Sequence, residues 1–321
     1  MLFWLRLKHR RTAIAPSFNQ SSSPNYPYWL LTMTYAWPNG MQCAAALSFD
    51  VDGEAGILAL DPKYAQRLSA LSWARYGPKV GVPRILDMLS KKNVKASFFI
   101  PGYTAELYPD LIARIHNEGH EVGIHGYIHK KPSDLSEIEE EAALVKTSQI
   151  LKGITGEKPT GYRSPWRDMK VSTPVLLALQ GISDFSSLLD DDAPYTISTA
   201  SGELVELPLH WTNDDWEQFA FTVDPPTGSG VIETCAKAFQ LWKEEFEGLY
   251  HYGRAFILTM HPEVIGRPAR LMMLERLIDH MQSFEGVWLT TCKDIANHHA
   301  KTQQVETASI ASTSMTSTSI T

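Results

Sequence analysis

The feature that most narrows what this chain can fold into is a repeated alternation of short apolar runs with amphipathic segments. Residues 43–49 read as a buried strand, and Val82, Ile85, Leu86 and Leu89 then recur at helical spacing around Pro83, a residue suited to a first helical turn. Residues 94–100 form the next expected strand, 109–118 a helix stopped by Gly119, and 121–124 a third strand. Asp134 and Glu137 have the spacing of a capping pair for a helix with apolar positions Leu135, Ile138, Ala142 and Val145, running out near Gly153. Further strands are expected at 160–163 and 183–186, around a helix at 175–180. Residues 195–223 break the rhythm, with short strands at 195–199 and 204–207 and an aromatic-rich loop. It returns with a helix at 231–249, a strand at 255–260, a helix at 268–282, a strand at 287–289 and a helix after Thr291. This order predicts an α/β fold of parallel strands with helical crossovers. A closed or nearly closed barrel of that kind carries its function at the carboxyl ends of its strands.

The ionisable residues that look chemical do fall at such ends: Asp50 and Asp52 after the first strand, His125 and His129 after the third, Arg163 after the fourth, and His261 after the strand at 255–260. One carboxylate and two imidazoles make a facial ligand set suited to zinc, cobalt or a similar divalent ion, with positions left for water and a substrate oxygen. Asp50 and Asp52 are two residues apart and reach the same face of an extended strand, so one can bind metal while the other takes a proton. Amide hydrolysis also needs an acid for the leaving nitrogen, and His261 is the candidate. Each residue alone has an ordinary reading: Asp pairs cap turns, histidines fill cores, and a lone arginine is usually a surface ion pair. Their common placement at strand ends is what argues against those readings.

Four segments carry a family resemblance. Ser48-Phe49-Asp50-Val51-Asp52-Gly53-Glu54 resembles the first motif of the NodB-homology polysaccharide deacetylases, a carbohydrate esterase family four-like group, in the Asp-x-Asp form of the peptidoglycan deacetylase-like branch. His125-Gly126-Tyr127-Ile128-His129 is similar to their His-x-x-x-His metal motif, Gly161 to Trp166 to their Arg-x-Pro motif, and Met260 to Pro268 to their late histidine motif. The resemblance spans residues 35–297. It implies a distorted (β/α) barrel of about seven parallel strands. It further implies that Asp50 is the catalytic base, Asp52, His125 and His129 the metal ligands, Arg163 the partner that keeps Asp50 ionised, and His261 the general acid. Tyr127, Trp166, Asp215 and Trp216 are the expected substrate-contacting residues, drawn from those motifs and from the polar and aromatic cluster at 210–216.

The expected function is metal-dependent hydrolysis of non-peptide carbon–nitrogen bonds, with a divalent cofactor, zinc first and cobalt or another ion as alternatives. The leading substrate is an N-acetylated sugar or polysaccharide of chitin or peptidoglycan type. Val51 between the aspartates also occurs in relatives that open cyclic imides or ureides, so that activity is the alternative, and a catalytically silent glycan-binding protein is the reading from another class. A net charge of −7 provides no basic face for nucleic acid, and no run approaches the length that spans a bilayer. The partner is therefore a glycan or small molecule; a homo-oligomer is left open. Cys43, Cys235 and Cys292 form no close pair and read as small buried hydrophobes. Residues 35–300 form the expected catalytic domain. Residues 1–34, acid-free and with Arg6, Lys8, Arg10 and Arg11, are expected to be a disordered or organelle-targeting extension, and 301–321 a Ser/Thr-rich disordered tail. With no clear secretory signal, the expected location is the cytoplasm.

Overall fold

The computed structural model of the protein describes residues 35–228 and 230–303. The extension expected over 1–34 and all but the first residues of the tail expected over 301–321 lie outside them. Strand β1 (Cys43–Asp50) is buried at every residue, which is why its sequence is a continuous apolar run rather than an alternating one: a parallel strand covered on both faces has no polar side. The strands that follow are β2 (Ser97–Ile100), β3 (Glu121–Ile124), β4 (Gly161–Tyr162), β5 (Asp184–Phe185), β6 (Tyr195–Thr199), β7 (Gly202–Glu206), β8 (Thr222–Val223), β9 (Pro226–Thr227), β10 (Ala255–Met260) and β11 (Val287–Thr290). In space the main sheet runs β10-β1-β2-β3-β4-β5-β7-β6, with β11 beside the lower half of β1. Pairing is parallel from β10 through β7 and antiparallel between β7 and β6. The chain after β7 curls back towards β10, Leu209 N–H donating to Leu188 O and Asp214 forming a parallel bridge with Thr259. This is the distorted (β/α) barrel expected from the alternation, with seven parallel strands along that path. No described helix is long and apolar enough to cross a membrane.

Local chemistry moved several boundaries. The helix Glu137–Thr155 is capped by Ser136 and Glu139 in a reciprocal capping box, not by Asp134 and Glu137; Asp134 closes a short 3₁₀ turn instead. The same x-x-Glu spacing occurs twice, two residues apart, and Ile138, expected on the apolar face, is 80% exposed. The helix expected from 231 begins at Cys235, because the Thr234 side chain accepts from Lys237 N and caps it there. Helices Glu54–Leu60 and Leu68–Tyr76 were not anticipated. Cys43 and Cys292 are buried, whereas Cys235 is half-buried on its helix.

The turn that carries His261 is seated by close backbone approach. A Cβ on Gly81 would lie 2.2 Å from Pro262 O, and one on Gly266 would lie 2.6 Å from the Gly81 Cα. Only hydrogen fits between these backbones, so the two glycines lock the corner after β10 against the turn at Gly77–Gly81. Gly81→Ala is therefore expected to lower stability by about 1–3 kcal/mol, the usual cost of overpacking. A urea melt checks it, and an unchanged midpoint would contradict the tight seating.

Candidate active site

β1 ends at Asp50, and the chain then turns through Val51 so that Asp52 enters the same cavity. Asp50 Oδ1 accepts from Arg163 Nη1 at 3.0 Å. Arg163, just past β4, is wholly buried. Its Nη1 also donates to Ser48 Oγ at 2.8 Å, its Nε to Ser186 O at 3.2 Å and its Nη2 to Ser186 Oγ at 3.1 Å. The guanidinium lies 4.4 Å from the Phe99 ring centre. Burial alone would push Asp50 up, but Arg163, with His125, His261 and Arg167, outweighs it and holds the carboxyl below the usual carboxylate range. Asp50 is thus ionised at neutral pH.

His125 and His129 follow β3. His125 Nδ1 lies 2.8 Å from the Arg163 carbonyl. Because a carbonyl only accepts, that nitrogen carries the proton and Nε2 keeps a free lone pair. His125 Nε2 stands 3.5 Å from Asp52 Oδ1 and 3.8 Å from Asp50 Oδ2, and His129 Nε2 stands 3.5 Å from Asp52 Oδ2. Burial pulls both imidazoles down, His129 to about 3, so both are neutral. Asp52 Oδ1 is buried with no hydrogen-bond partner. Lone pairs converging across such gaps repel unless a cation lies among them, and the donor atoms of Asp52, His125 and His129 all fall within 4.8 Å of one another. This nitrogen and oxygen donor set fits a divalent ion. The backbone is strained around it: His129, Trp166 and Arg167 have φ of 57°, 61° and 53°, a left-handed region rarely adopted by such residues.

His261, after β10, sits in an opposite environment. Its backbone N–H donates to both Asp215 oxygens, at 3.0 and 2.9 Å, and its Nδ1 donates to Asp215 Oδ1 at 2.7 Å. Burial pulls this imidazole down, but Asp215, then Asp214 and Asp52, more than compensate, and His261 titrates well above its ordinary 6.5. Trp216 meets the ring edge-on at 4.8 Å.

These groups face one cavity of ≈ 380 Å³. Trp166 and Trp216 line it, while Asp215 lies behind His261 and is absent from the wall. Tyr127 is not on the wall either: its hydroxyl donates to Glu106 at 2.8 Å and Lys146 sits 3.7 Å over its ring. Two further stretches of the wall were not read from the sequence. Gly56, Ile57 and Trp73 come from the unanticipated helices, and 226–228 from the β8–β9 hairpin. Asp224, in the turn of that hairpin, ties it to the segment before the helix Leu68–Tyr76, accepting from Tyr64 Oη at 2.8 Å and pairing with Arg67. Arg167 pairs with Asp214 and stacks 4.2 Å from the Trp211 ring centre. The Arg-x-x-x-Arg spacing from Arg163 is visible in the sequence, but its acidic partner lies 47 residues on, and only the fold joins them. Glu263 completes the wall beside His261.

The His261–Asp215 pair has a measurable consequence. Asp215→Asn removes the strongest influences that raise His261 and leaves burial opposed only by Asp214 and Asp52, so the imidazole is expected to titrate lower than in the wild type. A raised histidine stabilises the fold below its unfolded pKa and loses that contribution as pH rises through the folded value. The stability gap between wild type and variant should accordingly close at alkaline pH. Histidine NMR titration with parallel urea melts decides it; an unshifted His261 resonance would refute the pairing.

Comparison with known proteins agrees with this geometry. A polysaccharide deacetylase family model matches residues 75–182. A peptidoglycan deacetylase of Helicobacter pylori is 30% identical over 285 residues, spanning 80% of this chain and 96% of the relative. A Mycobacterium smegmatis crystal structure assigned to the polysaccharide deacetylases is 41% identical with a TM-score of 0.81, over 84% of this chain and 94% of that one. Puue allantoinase superposes with a TM-score of 0.72 at 25% identity, over 82% of this chain and 92% of that one. Sequence likeness along nearly the whole Helicobacter relative and a shared barrel lead to one conclusion: the chain belongs to the polysaccharide deacetylase family.

Proposed function

We propose that this cavity is the active site of a divalent-metal-dependent amidohydrolase that removes acetyl groups from N-acetylated glucosamine units of a glycan. The observation that carries the reading is the convergence of buried donor atoms from Asp52, His125 and His129, with Asp52 Oδ1 lacking any hydrogen-bond partner, beside a carboxylate kept ionised, Asp50, and an imidazole kept protonated, His261. The Helicobacter relative is a peptidoglycan deacetylase, and a Bacillus cereus peptidoglycan-N-acetylglucosamine deacetylase is 40% identical over 87 residues.

In this reading Asp52, His125 and His129 hold the ion, with zinc the expected metal. When bound, a divalent ion supplies Lewis acidity, polarising an amide carbonyl and lowering the pKa of water. Asp50 takes the proton of the attacking water, and Arg163 keeps it ionised and aimed. His261 gives its proton to the leaving nitrogen, and Asp215 holds the ring in position for that transfer. Trp166 and Trp216 wall the reacting centre, and their faces suit a sugar ring. The buried free thiols Cys43 and Cys292 suit the reducing cytoplasm expected from the sequence.

Asp50→Asn is expected to lower kcat by roughly a thousandfold, as loss of a general base does, with metal content unchanged. Elemental analysis with acetate-release kinetics tests this; full turnover by the variant would remove Asp50 as base, and activity indifferent to chelation would remove the metal site.

The second reading is opening of a small cyclic ureide or imide. One observation favours it: the likeness to an allantoinase. The metal-loaded protein should be assayed side by side on N-acetylglucosamine oligomers and on allantoin. Acetate release from the oligomers alone is the expected result, and ring opening of allantoin alone would replace deacetylation with the second reading.

A further inference from the structure

Two residues past His261, Glu263 brings a carboxyl to the cavity wall for which the steps above have no use. It is 2% exposed, and its Oε2 is buried with no hydrogen-bond partner. Two other acids of the wall have cationic partners: Asp50 has Arg163, and Asp214 has Arg167; the unpartnered Asp52 oxygen belongs to the proposed ligand set. No cation pairs with Glu263 among the described residues. Space for its carboxyl is provided by Gly77, where a Cβ would stand 2.6 Å from Oε2. An ionised carboxylate placed there would lose its hydration, which the nearby His261 and its own backbone N–H offset only in part, so the group is driven towards the neutral acid. Burial and the nearby charge of Asp52 push its pKa well above the ordinary carboxyl value. A neutral carboxyl is both donor and acceptor, and an unsatisfied one on a cavity wall finds its partner in whatever fills that cavity.

We propose that Glu263 is a substrate-binding residue that forms a hydrogen bond with an uncharged hydroxyl or amide group of the bound substrate and so sets its position against Asp50 and His261. The proposal deepens the deacetylase reading and rests on it. Its partner is a neutral, oxygen-rich molecule such as an N-acetylated sugar. Because the contact is present before and during reaction, its loss weakens binding more than it slows chemistry.

The test uses the metal-loaded full chain with N-acetylglucosamine oligomers, following acetate release by wild type, Glu263→Leu, Glu263→Gln and Gly77→Ala. Glu263→Leu should raise KM by roughly tenfold or more, with kcat within about threefold. Glu263→Gln, which keeps an uncharged donor and acceptor, should recover most of that loss. Gly77→Ala leaves the carboxyl in the chain but displaces it, and KM should rise in the same direction. Metal content and the thermal midpoint of each variant identify a folding defect. An infrared C=O band of a protonated carboxyl, present in wild type and lost in Glu263→Gln, reports the neutral acid without any turnover.

An unchanged KM in folded, metal-replete Glu263→Leu overturns the proposal. So does a Glu263→Gln variant no better than Glu263→Leu, since the contact would then need charge, or a loss of kcat with no change in KM. Absence of the infrared band overturns the neutral carboxyl. If the wild type opens allantoin and releases no acetate, the deacetylase reading falls, and the same variants on allantoin together with the infrared band still decide Glu263.

Discussion

Arg163 places a full positive charge where no water reaches it, and most of the site is arranged around the satisfaction of that charge. Its N–H groups are taken by Asp50, Ser48 and both oxygens of Ser186, while its own carbonyl lies against His125 Nδ1. One residue therefore ties together β1, the end of β3 and the segment after β5. A buried ion pair of this kind is weak evidence of stability, because desolvation offsets much of the attraction. Its effect is directional. The hydrogen bond to the carbonyl selects the His125 tautomer, the contact to Asp50 selects the ionised carboxyl, and both orient their groups towards one point.

Around that point the same side chain serves in two protonation states. His125 and His129 are buried beside carboxylates that stand off at 3.5 Å or more, and desolvation makes them neutral. His261 is buried as deeply but touches Asp215 at 2.7 Å, and the contact outweighs desolvation. Neutral imidazoles can ligate a cation; a protonated one can donate to a leaving group. A difference of less than an ångström in the distance to a carboxylate accompanies the separation of ligand from acid.

The catalytic candidates were legible because barrel geometry converts a linear pattern into a spatial one. Parallel strands with helical crossovers all end on the same face, so Asp50, His125, Arg163 and His261, each close after an apolar run, had to approach one another. Tyr127 shows the limit of that logic. It lies between the two histidines in the chain, yet the turn at Gly126 and the left-handed His129 point it at Glu106 and away from the cavity. The capping pair of the helix Glu137–Thr155 shows another: two capping spacings overlapped, and the reciprocal bonds form at Ser136 and Glu139.

What the sequence determined by itself was the chemistry on offer, namely two neighbouring carboxylates, a histidine pair and a late histidine at the ends of buried strands, since residue type and strand periodicity are local properties. The tertiary structure decided which of these groups are paired and which are left unsatisfied, and what encloses them. Arg167 meets Asp214 across 47 residues, Asp224 meets Tyr64 across 160, and Gly77 makes room for Glu263. Charge state and cavity shape depend on desolvation and on contacts between segments distant in the chain. No local pattern encodes those, so they exist only once the barrel has closed around them.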